Sequence, residues 1–242
     1  MQALISCEGT GNQFTTIGKE KWIYYASPMS QGIRYIRCTE VEMRHLSQAD
    51  PVLGRVIAHF GPIKRRGDDD LFTSVVRHII GQQISMAAQT TIWQRMESAL
   101  TTIDATTIHA ASIDALQAFG MTFRKAEYIH TFACQVAQGI FDLGALAQMD
   151  DEAAITELVK LKGIGRWTAE MILLFGLLRP DVVSFGDLAI IRGMKFLYGL
   201  EEVDRESFHR YRSLYSPYGS AASLYLWAVS KLDPAQVPML GR

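Results

Sequence analysis

Two glycines one residue apart, Gly163 and Gly165, break an otherwise continuous helical repeat and constrain this chain more than any other feature. Upstream, Ile155, Leu158, Val159 and Leu161 recur at helical spacing. Downstream, Trp167 to Leu178 reads as a second helix, apolar almost all round and ended by Pro180. Glycine permits backbone angles and close approaches that other residues forbid. A helix that begins at such a turn offers unpaired N–H groups and the positive end of its dipole, which suits a phosphate. That helix carries the chain roughly 20 Å from the turn. Asp181 to Gly186, β-branched and without helical signals, reads as extended and spans roughly the same distance in return. If the chain reverses at Pro180, Asp187 arrives beside Gly165 and Trp167. A phosphate-binding turn, an aromatic face and a carboxylate are then expected in one small region.

The bulk properties remove several alternatives. The 242 residues can build one large domain or two small ones around an ample core. The hydrophobic content of 48% is ordinary, and no apolar run is long enough to span a bilayer. The N-terminus shows no secretory signal pattern. Cys7, Cys38 and Cys134 are scattered and form no CxxC pair, which argues against a disulfide framework, a zinc site or an iron–sulfur cluster and for reduced thiols in a cytosolic protein. The six histidines show no metal-ligand spacing. A formal charge of −1 weighs against nucleic-acid binding, yet a local patch can hold phosphates while acids sit elsewhere.

Along the chain, residues 1 to about 35 are broken by Gly9, Gly11 and Gly18 and hold at most a short strand at 21–25, with turns at Ser27-Pro28 and Gln31-Gly32. They form either a small β element or a partly disordered arm. Helical signals follow: a short candidate at Glu42–Leu46, then Asp50-Pro51 opening a helix to Phe60. Lys64-Arg65-Arg66 reads equally as a solvated loop or a phosphate contact. Leu71 to Gly81 is mostly apolar, and Ile84-Ser85 restarts a helix to about Leu100. Gln82 and Gln83, between these runs, either cap the junction or face a ligand. One or two short helices lie in Thr107–Phe119, another starts after Thr122, a turn or helix covers Ala145–Met149, and Asp150-Asp151 leads into the helix before the turn. After Asp187, itself a plausible N-cap, helices are expected to about Leu200, over Asp204–Tyr215, and as a last amphipathic segment over Ala221–Lys231. About ten helices with short connections make an all-α fold.

These residues also carry a resemblance. LKGIGRWTAE followed by Asp187 resembles the helix-hairpin-helix DNA glycosylase superfamily. Ile79-Ile80-Gly81-Gln82-Gln83-Ile84-Ser85, Gly120-Met121-Thr122-Phe123-Arg124-Lys125-Ala126, and Ser216-Pro217-Tyr218 leading to Tyr225-Leu226-Trp227 look like its alkylbase branch, DNA-3-methyladenine glycosylase II. The passages come in the family's order and cover roughly residues 36 to 232. The resemblance implies two helical subdomains flanking a DNA-binding cleft, with the hairpin at about 151–178 inside a glycosylase domain of residues 36–242 and residues 1–35 as an N-terminal extension. It implies base flipping, since the glycosidic bond is out of reach inside a duplex.

Carried over residue by residue, the resemblance makes Asp187 the catalytic carboxylate and Trp167 and Trp227 the walls of the base pocket. DNA contacts fall to Gly163, Ile164, Gly165 and Thr168 in the hairpin and to Gln82 and Gln83, with Gln83 near the gap-filling position. The hairpin carbonyls of Leu161 and Ile164 can hold a monovalent cation, and no cofactor is implied. Alkylated purines are often cationic, and a cation over an indole face gains about 0.5–2 kcal/mol. Bifunctional relatives carry a lysine two residues after the second hairpin glycine, where this chain has Trp167, and Lys160 and Lys162 do not match that position. A monofunctional hydrolase leaving an abasic site is therefore expected, monomeric, acting on damaged double-stranded DNA, and cytoplasmic, nucleoid-associated or nuclear. Two alternatives stand beside it: a non-catalytic structure-specific DNA-binding module, and a glycosylase for deaminated or oxidised purines. Met171, one helical turn past Trp167 where an aromatic could stand, favours keeping the latter in view.

Overall fold

Helix starts are written plainly into this chain, and the fold follows from them. A computed structural model describes residues 33–233. The expected strand at 21–25, its neighbouring turns and Cys7 lie outside these residues. The body beginning at Arg34 consists of β1 (Tyr35–Arg37), α1 (Glu40–Ala49), α2 (Pro51–Phe60), β2 (Lys64–Arg66), α3 (Leu71–Gly81), α4 (Met86–Ala99), α5 (Ala105–Ala110), α6 (Ile113–Gln117), α7 (Phe123–Ala137), α8 (Leu143–Gln148), α9 (Asp151–Leu158), α10 (Arg166–Phe175), α11 (Leu188–Tyr198), α12 (Arg205–Tyr215) and α13 (Gly219–Val229). Eleven of these thirteen helices begin at a Ser, Thr or Asp whose side chain accepts from the first-turn amides. The exceptions are α10 and α13.

The helices sort into two packing groups. In the middle of the chain, α5 and α6 pack on α7, α7 and α4 on α3, and α10 on both α3 and α9. The second group joins the first and last of the described elements: α1 packs on α2, α11 on α13, and α13 also on α1, α2, α12 and β1. Asp50 stitches this group. Its Oδ1 caps α2, and its Oδ2 accepts from the Tyr198 hydroxyl at 2.5 Å, which also meets the Tyr215 hydroxyl at 2.5 Å. Burial pushes both phenols' pKa values up, so they remain hydrogen-bond donors.

Four expectations are corrected. There are thirteen helices among the described residues rather than about ten, because the short elements α5, α6 and α8 each close separately. Lys64–Arg66 is a strand, paired antiparallel with β1 in the register Tyr35↔Arg66, Ile36↔Arg65, Arg37↔Lys64, not a loop. The helix after the hairpin stops at Phe175 instead of Leu178, where the Leu177 and Arg179 amides fold back onto Ile172 and Leu173 carbonyls and Leu178 takes a positive φ of 54°. The last helix is not amphipathic: from Gly219 to Leu226 every residue is buried, as are Trp227 and Val229, since small Gly, Ser and Ala residues let other helices close around it.

Residues 181–186 return the chain as expected, without forming a strand. No strand lies alongside, so their polar groups are satisfied by α10 and α13 instead. The Asp181 carboxylate accepts from the Gly219 amide at 2.9 Å, supplying α13 with the cap that its own sequence lacks. Ser220 Oγ accepts from the Val182 amide, and Ser223 Oγ donates to its carbonyl. Ser184 donates to Glu170 on α10. The segment ending at Asp187 is thereby fixed from both sides.

Candidate active site

The hairpin joins α9 to α10 through Gly163, Ile164 and Gly165. Gly163 has a φ of +84°, and a β-carbon there would lie 2.4 Å from Cδ2 of Tyr128 on α7. Only glycine meets both conditions. Its carbonyl accepts from Gln82 Nε2 at 2.8 Å, and Gln82 Nε2 also donates to Thr168 Oγ1 at 3.4 Å. Gln82 thus supports the turn from behind. Lys125 holds Gln82 in place by donating to the Ile80 and Gln82 carbonyls at 2.8 and 2.5 Å, and desolvation lowers its pKa. Gln83 takes a positive φ of 57° and is exposed, so the two adjacent glutamines have opposite tasks, one inward and one outward.

Gly165 begins α10 without any side-chain cap. The first amides of α10 therefore lack the partner that most other helices here have, on a surface where Gly163, Gly165 and Arg166 are exposed. A phosphate is a fitting acceptor for such amides. Thr168 differs from expectation. Its side chain is buried against Gln82, so only its backbone N–H belongs to this surface. Two of the nearby cations are committed to carboxylates: Arg166 pairs with Glu152 through two bonds of 2.5 and 3.0 Å and with Glu170 at 3.0 Å, and Lys160 pairs with Glu157. Lys162, next to Gly163, is exposed and adds side-chain charge to the hairpin amides. The Leu161 carbonyl accepts the Ile164 amide at 3.1 Å and keeps one lone pair, while the Ile164 carbonyl accepts no backbone bond among the described residues. These two oxygens fit the oxygen-donor chemistry of a monovalent cation.

Asp187 lies where the return geometry places it, and the bonds around it are specific. Its Oδ1 accepts three N–H groups: the Ala189 and Ile190 amides at 2.9 Å each and the Trp227 indole at 3.1 Å. Its Oδ2 accepts one, the Trp167 indole at 3.1 Å. A carboxylate oxygen offers two lone-pair sites, so Oδ1 is saturated and Oδ2 retains capacity. Asp187 is the N-cap of α11 and only 7% exposed. Trp227 is 9% exposed, whereas Trp167 is 42% exposed and forms the open wall. Met171 is buried in the core and does not line this space.

Sequence reasoning missed several participants. Phe175 stacks with Trp227 at 6.0 Å between ring centres, 9° from parallel. Arg65 lies over both rings. Glu170, through Ser184, positions the approach to Asp187, and the Ser184 carbonyl accepts the Asp187 amide at 3.3 Å. Burial raises the Glu170 carboxyl above its ordinary range, opposed by the Ser184 hydrogen bond and Arg166. A buried acid three residues after Trp167, in an otherwise apolar helix, was the available signal. Arg65 was marked only as part of the basic triplet 64–66, and nothing in the sequence linked it to Phe175.

A hairpin with open amides is thus followed in the chain by a carboxylate that accepts from two indoles. The chain belongs to the HhH-GPD superfamily of base excision DNA repair proteins, whose family model matches residues 76–217. It is 27% identical over 205 residues to DNA-3-methyladenine glycosylase 1 of Schizosaccharomyces pombe, covering 83% of this chain and 90% of that one. Its fold matches a DNA-3-methyladenine glycosidase of Bacillus halodurans with a TM-score of 0.73 at 32% identity, over 82% and 93% of the two chains. It also matches a Schizosaccharomyces pombe 3-methyladenine DNA glycosylase in complex with abasic DNA, with a TM-score of 0.71 at 26% identity, over 80% and 98%. Among the described residues no helix is long and apolar enough to cross a membrane.

Proposed function

We propose that this member of the superfamily excises alkylated, 3-methyladenine-like bases from double-stranded DNA by hydrolysis of the N-glycosidic bond and leaves an abasic site. The observation that carries this reading is the Asp187 carboxylate, bonded among the described residues on one oxygen by three N–H groups and on the other by Trp167. As the glycosidic bond breaks, the sugar becomes oxocarbenium-like, and Asp187 stabilises that charge as carboxylates do in glycosidases. Oδ2, the oxygen with spare capacity, orients the attacking water. Trp167 and Trp227 supply faces for the flipped base, and a cationic alkylpurine is a good leaving group without further protonation. The names of similar proteins support the substrate class.

The amides at Gly163, Ile164, Gly165 and Thr168 hold a backbone phosphate, Gln82 supports them, and Gln83 fills the gap left by the flipped nucleotide. A monovalent cation on the Leu161 and Ile164 carbonyls would add positive charge there. No amine occupies the position of Trp167, so the enzyme is monofunctional. The unit is a monomer whose glycosylase domain spans residues 36–242. Release of bases from alkylated duplex DNA by wild type and its loss in Asp187→Asn are expected. Unchanged release by that variant would instead favour a DNA-binding module. Borohydride should trap no covalent enzyme–DNA adduct, and trapping one that is lost on replacement of a single lysine would reverse the monofunctional assignment.

A further inference from the structure

One face of α7 lies beneath both elements that are proposed to grip DNA. Lys125 points its ammonium at the end of α3, where it donates to the carbonyls of Ile80 and Gln82 at 2.8 and 2.5 Å. Tyr128, one turn further along the same face, sets its ring against Gly163 of the hairpin. Gln82 closes the triangle through its 2.8 Å bond to the Gly163 carbonyl. Among the described residues the ammonium has no acidic partner, and desolvation lowers its pKa. A half-buried cation is thus given over to backbone oxygens.

The loop that it holds needs an anchor from outside. Residues 83–87 are exposed, so no core packing shapes them. The Gln82 amide reaches the Ile79 carbonyl at a long 3.4 Å, and the amides of Gln83 and Ile84 make no backbone bond among the described residues. Gln83 also stands at a φ of 57°, a strained conformation for a residue with a side chain. Two ties to other elements remain: Lys125 on the carbonyls, and the Gln82 side chain on the hairpin. The carbonyl end of a helix favours a cation, and α3 receives this one from a different helix. A side chain that fills a gap in a duplex has to push against stacked bases, and breaking a pair costs free energy. A loop free to relax would yield before the duplex did. We propose that Lys125 is a positioning residue for strand opening, whose ammonium fixes residues 82–84 in the shape that presents Gln83 to the duplex and sets their spacing from the phosphate-binding hairpin. It touches neither the base nor the sugar. This rests on the reading of Gln83 as the residue that fills the gap left by the flipped nucleotide.

The test separates opening from chemistry. Single-turnover release of 7-methylguanine is measured from two duplexes, one with the lesion paired to cytosine and one with it opposite an abasic analogue, where no pair has to break. Lys125→Met keeps the length of the stem and removes the three donors. Its rate should fall about ten-fold or more on the paired duplex, as for loss of a charged hydrogen bond, and by no more than about two-fold on the unpaired one. Lys125→Arg, which restores donors to both carbonyls, should recover most of the paired rate. A second measurement needs no bond cleavage: 2-aminopurine beside a lesion whose 2′-fluoro sugar resists hydrolysis should brighten when wild type binds and stay dim when Lys125→Met binds. Equal losses on the two duplexes, no loss on either, or brightening by Lys125→Met as strong as by wild type overturns the inference. Release from neither duplex by folded wild-type enzyme overturns the glycosylase reading, and the 2-aminopurine signal then decides the role of Lys125 by itself.

Discussion

The indole N–H of Trp227 and the carboxylate of Asp187 meet at 3.1 Å from two different helices, and Gly193 is what lets those helices come close enough. Gly193 lies on α11, and a β-carbon there would sit 2.2 Å from the carbonyl oxygen of Leu226, the neighbour of Trp227. Backbone cannot move aside as a flexible side chain can. Gly193→Ala should therefore destabilise the protein by about 1–3 kcal/mol and also slow base release, because separating α11 from α13 lengthens the bond between Trp227 and Asp187. Denaturant unfolding and single-turnover release, measured on the same preparation, check both effects.

Asp187 has a structural task, capping α11, and the chemical one proposed above, and two substitutions separate them. Asparagine keeps an oxygen for the Ala189 and Ile190 amides, so Asp187→Asn should melt near wild type. Asp187→Ala should lose about 1 kcal/mol through the missing cap. Both should lose base release by about 100-fold or more, the scale of removing a group aimed at developing charge. Thermal melts beside release rates decide it.

The two tryptophans should respond differently to loss of the indole N–H. Trp167 is the one donor on Oδ2 and is well exposed, so Trp167→Phe should shift stability by no more than about 0.5 kcal/mol while release falls. Trp227 shares Oδ1 with two amides, so Trp227→Phe should cost less activity. Trp227→Ala, by contrast, should cost about 3–5 kcal/mol of stability as a large buried ring is lost. Urea melts and release kinetics on the three variants provide the comparison.

The hairpin glycines should also diverge. Gly163→Ala faces both a positive φ and the Tyr128 ring, so it should destabilise the turn by more than about 1 kcal/mol and weaken DNA affinity. Replacing Tyr128 with Ala in the same chain should relieve the clash and leave the backbone strain. Gly165 has φ −93° and open space around it, so Gly165→Ala should fold normally and affect DNA binding alone. Unfolding curves and binding to abasic duplex DNA distinguish these outcomes.

Glu170 gives a pH dependence whose sign is fixed by the direction of its shift. Burial raises its folded-state value above the ordinary 4.5, so the protonated form is favoured in the folded protein. The stability that this confers is fully present below pH 4.5 and is lost as pH rises through the folded value. Glu170→Gln, which cannot ionise, should lack this component of the pH profile, so the stability of wild type relative to the variant should decline across that window. Unfolding free energies at a series of pH values between 4 and 8 measure it.

What the sequence disclosed, and what it withheld, follows from how far each signal reaches. The closeness of Asp187 to Trp167 was legible because a helix length, a proline and an extended return are local quantities. Helix starts at Asp50, Asp70, Thr122 and Asp204 were legible for the same reason: a cap and its amides are three residues apart. Arg65 was not, since its meaning depends on a three-residue strand partner at 35–37 and on an aromatic floor more than a hundred residues away. Tyr128 was read as part of a helix and never as the wall that requires glycine at 163. The early end of α10 was missed because apolar residues continue to Leu178, and only the fold-back of the Leu177 and Arg179 amides stops the helix. The family resemblance supplied Trp227, which no local pattern would have linked to Asp187.

The joining of α1 and α2 with α11 and α13 in one packing group sets the order in which the protein acquires its parts during synthesis. The hairpin and its supporting helices α3 to α10 leave the ribosome before α13, which carries Trp227 and forms the centre of the other group. A nascent or prematurely stopped chain therefore has the hairpin proposed to hold a phosphate and lacks the indole of Trp227 beside Asp187. Such a fragment would sit on DNA and repair nothing, a competitor for the very sites that the finished protein serves.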